Sequence, residues 1–123
     1  MKNLDLNSEN TVVEKSFEFA VRIVKLYRFL CDTRNEYVMS KQILKCGTSI
    51  GANVAEAQKG QSKADFTAKM QISLKEANET EYWLKLLYRT QYLTKEQYES
   101  MNVDIQELLG LLVSICRTGA VCK

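Results

Sequence analysis

Histidine and proline are both absent from these 123 residues, and glycine occurs only five times. Without histidine the chain lacks the commonest general base, the usual partner of a serine or cysteine nucleophile, and the ligand on which most metal sites depend. Without proline, and with little glycine, the punctuation expected of many short strands and tight hairpins is missing, whereas long helices tolerate such a composition. Four cysteines, Cys31, Cys46, Cys116 and Cys122, show no CxxC spacing. Zinc therefore has no recognisable ligand set, and reduced, mostly packed thiols are expected, with Cys122 exposed near the terminus. No phosphate-binding P-loop and no dinucleotide fingerprint occurs, and Glu76, Glu79 and Glu81 lack the Glu-x-x-His partners of di-metal bundles. No catalytic, cofactor-binding or metal-ligating residue is expected. No apolar run reaches the length of a membrane span, and the opening MKNLDLNSENTVVEK has no apolar core of signal-peptide length, so a cytoplasmic protein is expected.

What is present reads as helix throughout. With 46% hydrophobic and 26% charged residues the chain has enough apolar surface to fold unaided, and its length suits one domain over residues 1–123. Apolar residues recur at three- and four-residue steps in four blocks, at about 10–32, 38–58, 63–91 and 95–117. In the first block two neighbouring stripes are apolar. One is Val13, Phe17, Ala20, Val24, Tyr27 and Cys31, and the other is Val12, Phe19, Ile23, Leu26 and Leu30. This helix offers more apolar surface than one core face requires. The second block has a thin line of Ile43, Gly47, Ile50, Val54 and Ala57, with Gly47, Gly51 and Ala55 four apart. Two interior glycines cost a helix roughly 2 kcal/mol in propensity. Close approach by another helix would offset that, and a kink or an early helix end is the competing reading.

Lys59 and Gly60 form a turn, and Ser62-x-x-Asp65 resembles a capping box that opens the third helix. Its seam is Phe66, Met70, Ser73, Ala77, Thr80, Leu84 and Leu87, along a rod of roughly 40 Å. Thr94-x-x-Gln97 is a second capping box, and Tyr98, Met101, Ile105, Leu108, Leu112 and Ile115 form the fourth seam. Short turns join antiparallel neighbours, so the expected fold is all-α, an up-down-up-down four-helix bundle.

Two groups of polar residues stand out. Ser49, Asn53 and Glu56 run beside the seam of the second helix, and Ser73, Glu76 and Thr80 occupy an equivalent line on the third. If the lines face each other, Asn53 and Glu56 hydrogen-bond Ser73 or nearby backbone and fix helix register. A small-ligand pocket is the alternative, but nothing beside it supplies a nucleophile, base or metal ligand. The second group is basic: Arg22, Lys25 and Arg28 on the first helix with Lys41 and Lys45 on the second. Net charge is only +2, yet residues 15–75 carry eleven Lys/Arg against five Asp/Glu, and residues 76–107 carry three against seven. The strip is read either as a solvated face or as a phosphate-binding one, and since aromatics are not interleaved with it, any nucleic-acid contact would be mainly electrostatic.

The run Ser49-Ile50-Gly51-Ala52-Asn53-Val54-Ala55-Glu56-Ala57, then Gln61-Ser62-Lys63-Ala64-Asp65-Phe66, then Ser73-Leu74-Lys75-Glu76-Ala77-Asn78-Glu79-Thr80-Glu81, resembles a bacterial four-helix-bundle family. The family is named for proteins encoded in intervening sequences of 23S ribosomal RNA genes. The resemblance spans nearly the whole chain and is most specific across residues 42–90. It implies a bundle assembling into a ring, typically a homopentamer, without established enzymatic activity. A related group serves as accessory proteins to the reverse transcriptases of diversity-generating retroelements, with a basic ring surface contacting nucleic acid and polymerase. Asn53, Glu56, Ser73 and Glu76 match the family's characteristic polar positions. Ala57 stands where many relatives have glycine, and Gln61 where many have arginine, which weakens the nucleic-acid inference.

Three functional readings follow. The first is a non-enzymatic, ring-forming bundle that binds RNA or DNA weakly, or scaffolds a nucleic-acid enzyme, through the basic residues of the first two helices. The second is a protein-interaction module without a nucleic-acid role, using surplus apolar surface such as Phe19, Leu26 and Trp83. The third is an enzyme or small-molecule binder built on Asn53 and Glu56.

Overall fold

Four helices carry the chain in the computed structural model, which describes the backbone of residues 2–121 and the side chains of residues 11–118. They are α1 (Lys2–Asp32), α2 (Met39–Ala57), α3 (Lys63–Arg89) and α4 (Lys95–Val121). Helix α2 packs on α1 and α3, α4 packs on α3 and closes the ring against α1, and the diagonal pairs stay apart. This is the expected antiparallel bundle. Helix α1 starts earlier than the expected residue 10, there being no glycine or proline between Lys2 and Asn10 to interrupt it. Cys122 lies outside the described residues. Among the described residues no helix is long and apolar enough to cross a membrane.

The ends of the helices follow from local chemistry. Both halves of the Thr94 capping box form: Thr94 N–H donates to Gln97 Oε1 at 2.9 Å, and Gln97 N–H donates to Thr94 Oγ1 at 3.1 Å. The Ser62 box is half made. Ser62 Oγ accepts from Asp65 N–H at 3.0 Å, while the shorter aspartate side chain returns no bond. Helix α3 stops at Arg89, two residues before the expected end, because Gln91 adopts φ 70° and turns the chain. The Tyr92 N–H then reaches back to the Leu87 carbonyl at 2.9 Å, which closes the helix end.

Helix α2 begins with a cap that lies outside the usual box pattern. Its N-cap residue, Val38, has no side-chain oxygen to offer. Buried Glu36 supplies one instead, its carboxylate accepting from the backbone N–H groups of Val38, Met39 and Ser40 at 3.2, 2.9 and 2.7 Å. Three orphan donors and the positive end of the helix dipole are thereby satisfied by one charge.

The core fills as the seams of α2, α3 and α4 foretell, with Ile43, Ile50 and Val54 meeting Met70, Leu84 and Leu87 and the α4 residues Ile105, Leu108 and Leu112. Fully burying each such side chain contributes on the order of 1.5–3 kcal/mol. Helix α1 corrects the sequence reading. Its inward stripe is Val12, Ser16, Phe19, Ile23, Leu26 and Leu30, whereas Phe17 of the other stripe is 65% exposed. Phe19 is 1% exposed and Leu26 8%, so neither supplies outward apolar surface, and Trp83 is half-buried beside Tyr82. The glycines of α2 decide the outcome. A Cβ on Gly47 would lie 2.7 Å from Ile23 Cγ1, and one on Gly51 would lie 3.0 Å from the Ser16 carbonyl oxygen. Close helix approach is therefore the reason for this pair, and α2 runs unbroken through both.

Candidate functional site

The polar line beside the α2 seam resolves into separate contacts rather than one network. Ser73, fully buried on α3, donates its hydroxyl to the Ile50 carbonyl of α2 at 2.9 Å and is the member that crosses between helices. Ser49 Oγ donates to the Lys45 carbonyl at 2.7 Å, and Asn53 Nδ2 donates to the Ser49 carbonyl at 2.9 Å, so both bond within α2. Thr80 Oγ1 donates likewise to the Glu76 carbonyl at 2.8 Å. Glu56 is exposed, and neither its carboxylate nor that of Glu76 has a hydrogen-bond or ion-pair partner among the described residues. Among the described residues neither Asn53 nor Glu56 bonds Ser73, and of the two Asn53 takes the other expected course, a nearby backbone carbonyl. Ser49, Asn53 and Thr80 instead use the carbonyl four residues back, a local acceptor open to short polar side chains on a helix.

The thiol nearest this flank is Cys46. Burial pushes its pKa up, the carboxylates of Glu79 and Glu76 add to the rise, and the nearby Thr80 hydroxyl only partly opposes it. Cys116 is raised by burial as well. Both are held as thiols, the form that is a poor nucleophile. Among the described residues no group of three histidine, cysteine, aspartate or glutamate side chains is placed to hold a metal ion.

The five basic residues divide. Arg22 turns toward α4, where Nη1 meets the Asp104 carboxylate at 2.5 Å and the Ser100 carbonyl at 3.3 Å, and Nη2 reaches Ser100 Oγ at 2.7 Å. With the Lys15–Glu107 pair at 3.1 Å it joins α1 to α4. Lys25, Arg28, Lys41 and Lys45 are exposed and unpaired among the described residues. The Gly47–Ile23 contact and the Cys31 Sγ to Ser40 Oγ contact at 3.7 Å fix the α1/α2 register. In that register Lys25 is level with Lys45 and Arg28 with Lys41, so the four cations fall at two heights, or rungs, along the α1/α2 pair.

Two further features escaped the sequence reading. Phe17 stands at the edge of an open groove of about 480 Å³ between α1 and α2, floored by Gly51 and Ala55 and walled by Val13, Glu14 and Glu18. At the end of the bundle where the α1/α2 and α3/α4 connections meet, Arg34 Nη1 donates to the Gln91 and Tyr92 carbonyls at 3.0 and 2.8 Å. Up-down topology puts those two connections at one end, which is the signal that could have drawn attention to Arg34.

The model of the 23S rRNA-intervening sequence protein family matches residues 8–114. Among solved structures, the chain is similar to a protein of unknown function from the S23 ribosomal protein family of Bacteroides thetaiotaomicron. Identity is 62% and the TM-score 0.88, over 89% of this chain and 98% of that one. No curated protein matches.

Proposed function

From the premise that the chain belongs to the 23S rRNA-intervening sequence protein family, we propose that it is a non-enzymatic, self-associating cytoplasmic bundle that contacts RNA or DNA, or seats a nucleic-acid enzyme. The observation that carries the reading is the pair of rungs, Lys25 with Lys45 and Arg28 with Lys41, four exposed cations without carboxylate partners among the described residues. Exposed, unpaired cations spread along two adjacent helices suit the extended, sequence-independent charge of a nucleic-acid backbone. Arg22 belongs to the scaffold in this account, since Asp104 already occupies it.

Self-association gives the rungs their effect. One subunit carries a modest patch, whereas subunits repeated around an axis, five in the ring that the family resemblance implies, present a continuous basic surface. The exposed Phe17 beside the small residues Gly51 and Ala55 offers a projecting ring next to a receiving groove, the kind of apolar surface through which copies associate. The same surface supports a protein-interaction module as the second reading, with Phe17 in place of Phe19 and Leu26.

Light scattering on the purified protein, with and without total RNA, tests the proposal. An oligomer whose mass increases on adding RNA is expected. A monomer indifferent to RNA would overturn it, and an oligomer that ignores RNA but retains protein partners from nuclease-treated lysate would favour the second reading.

A further inference from the structure

The four rung cations lie toward the end of the bundle that carries the α1/α2 and α3/α4 connections, and that end holds a second group of cations with aromatic neighbours. Arg34 is fixed in place there. Its Nη1 holds the Gln91 and Tyr92 carbonyls, and its guanidinium carbon lies 5.2 Å from the centre of the Tyr92 ring. One nitrogen engaged in this way leaves the donors on Nε and Nη2 for another acceptor. Arg89 ends α3 nearby and is exposed. Neither arginine pairs with a carboxylate among the described residues.

Between them opens a cavity of about 430 Å³, lined by Arg34, Arg89, Tyr88, Gln91, Leu93 and Thr94. Tyr88 is stacked on Tyr98, with ring centres 4.6 Å apart and planes 7° from parallel. Asp32, Glu96 and Glu99 bring carboxylates to this end, outnumbered by Arg28, Arg34, Lys41, Lys85, Arg89 and Lys95, while the charge of Glu36 is directed into the α2 cap.

We propose that this end of the bundle grips single-stranded RNA or DNA, with Arg34 and Arg89 binding successive phosphates across the cavity and the Tyr88–Tyr98 stack offering a platform for an unpaired base. The inference rests on the nucleic-acid reading above and adds the kind of strand. A planar guanidinium already oriented by two carbonyls presents its remaining donors in the fork that a phosphate accepts. Stacked tyrosines reward a base only when that base is free of its own helix, so the pairing of arginine with tyrosine selects an unpaired strand over a duplex. The rungs on α1 and α2 lack this aromatic element and would follow the backbone of either.

Fluorescence anisotropy of the full-length protein with labelled oligo(U) and oligo(dT), and with duplexes of matching length, tests the assignment. Wild type is expected to bind the single strands more tightly than the duplexes. Arg89→Glu is expected to weaken single-strand binding about tenfold and to reduce the log–log salt slope by about 0.7, one phosphate contact. Tyr88→Leu should abolish the preference for single strands. If Tyr88→Leu does not fold, Arg89→Glu, at an exposed helix end, decides alone. Equal binding of single strands by wild type and Arg89→Glu, or a preference of wild type for duplex, would overturn the loop-end grip. Should Lys25→Glu with Lys45→Glu still abolish binding in that case, the rungs stand without it. Wild type that binds no nucleic acid overturns both.

Discussion

Gly51 of α2 sits against the backbone of Ser16 in α1, so close that a methyl group at position 51 would lie 3.0 Å from the Ser16 carbonyl oxygen. Gly110 of α4 has nothing within 4 Å of the same hypothetical atom. The two glycines separate helix propensity from packing. Gly110→Ala is expected to raise stability by about 1 kcal/mol, the propensity gain alone. Gly51→Ala gains the same propensity, but pushing apart two helix backbones costs about 1–3 kcal/mol, so a net loss is expected. Thermal melts of the two variants followed by circular dichroism check this, and parallel stabilisation would contradict the close approach.

Two buried hydroxyls on α3 should respond in opposite senses. Ser73 Oγ is bonded to the Ile50 carbonyl, whereas Thr67 Oγ1 is buried without a partner among the described residues. Ser73→Ala should cost about 1 kcal/mol, and Thr67→Val, which replaces an unsatisfied hydroxyl by a methyl of similar size, should stabilise by up to about 1 kcal/mol. Asn53→Ala and Ser49→Ala, whose bonds stay within α2, should change stability by less than about 0.5 kcal/mol. Urea unfolding of the four variants gives the comparison, and a larger loss at Asn53 than at Ser73 would restore the shared network.

Glu36 holds three backbone N–H groups at the start of α2. Glu36→Ala should destabilise by about 1–2 kcal/mol, in the upper range for loss of a cap. Glu36→Gln keeps one acceptor oxygen and should lose less. Hydrogen exchange at Met39 and Ser40 reports the effect locally, with protection falling in the alanine variant.

Arg22 tests whether a cation is scaffold or ligand. Its partners Asp104 and Ser100 lie across the α1/α4 junction, and the pair is about a third exposed. Arg22→Gln is expected to cost at most about 1 kcal/mol, as solvent-screened pairs do. Nucleic-acid affinity should stay within twofold of wild type, as measured by anisotropy on the folded variant. A loss matching that of Lys25→Glu would return Arg22 to the binding strip.

The sequence discloses periodic structure well and pairings across the chain poorly. Seams on α2, α3 and α4 were legible because each has one apolar line, and the Thr94 and Ser62 caps because their partners lie three residues away. In α1 both stripes are apolar, so periodicity cannot choose between Phe17 and Phe19. The glycines of another helix choose. Arg22 reads as a free cation until Asp104, 82 residues on, is brought beside it. Nothing in the sequence marks Arg34 until the two connections meet at one end. The α2 cap was missed because its oxygen comes from Glu36, ahead of Val38, a residue that cannot cap itself. Of the polar line, Ser73 reaches the Ile50 carbonyl of α2 while Asn53 bonds the carbonyl four residues back, and side-chain type and spacing alone do not rank the one contact above the other.

The salt dependence of nucleic-acid binding tests the central claim most directly. Anisotropy titrations of wild type and of Lys25→Glu with Lys45→Glu, across a range of salt concentrations, give the slope of log affinity against log salt. For wild type the account predicts a steep negative slope, about 0.9 per phosphate contacted on duplex and about 0.7 on a single strand. The double variant should bind more weakly with a shallower slope while melting like wild type. Affinity indifferent to salt, or unchanged in the double variant, would contradict it.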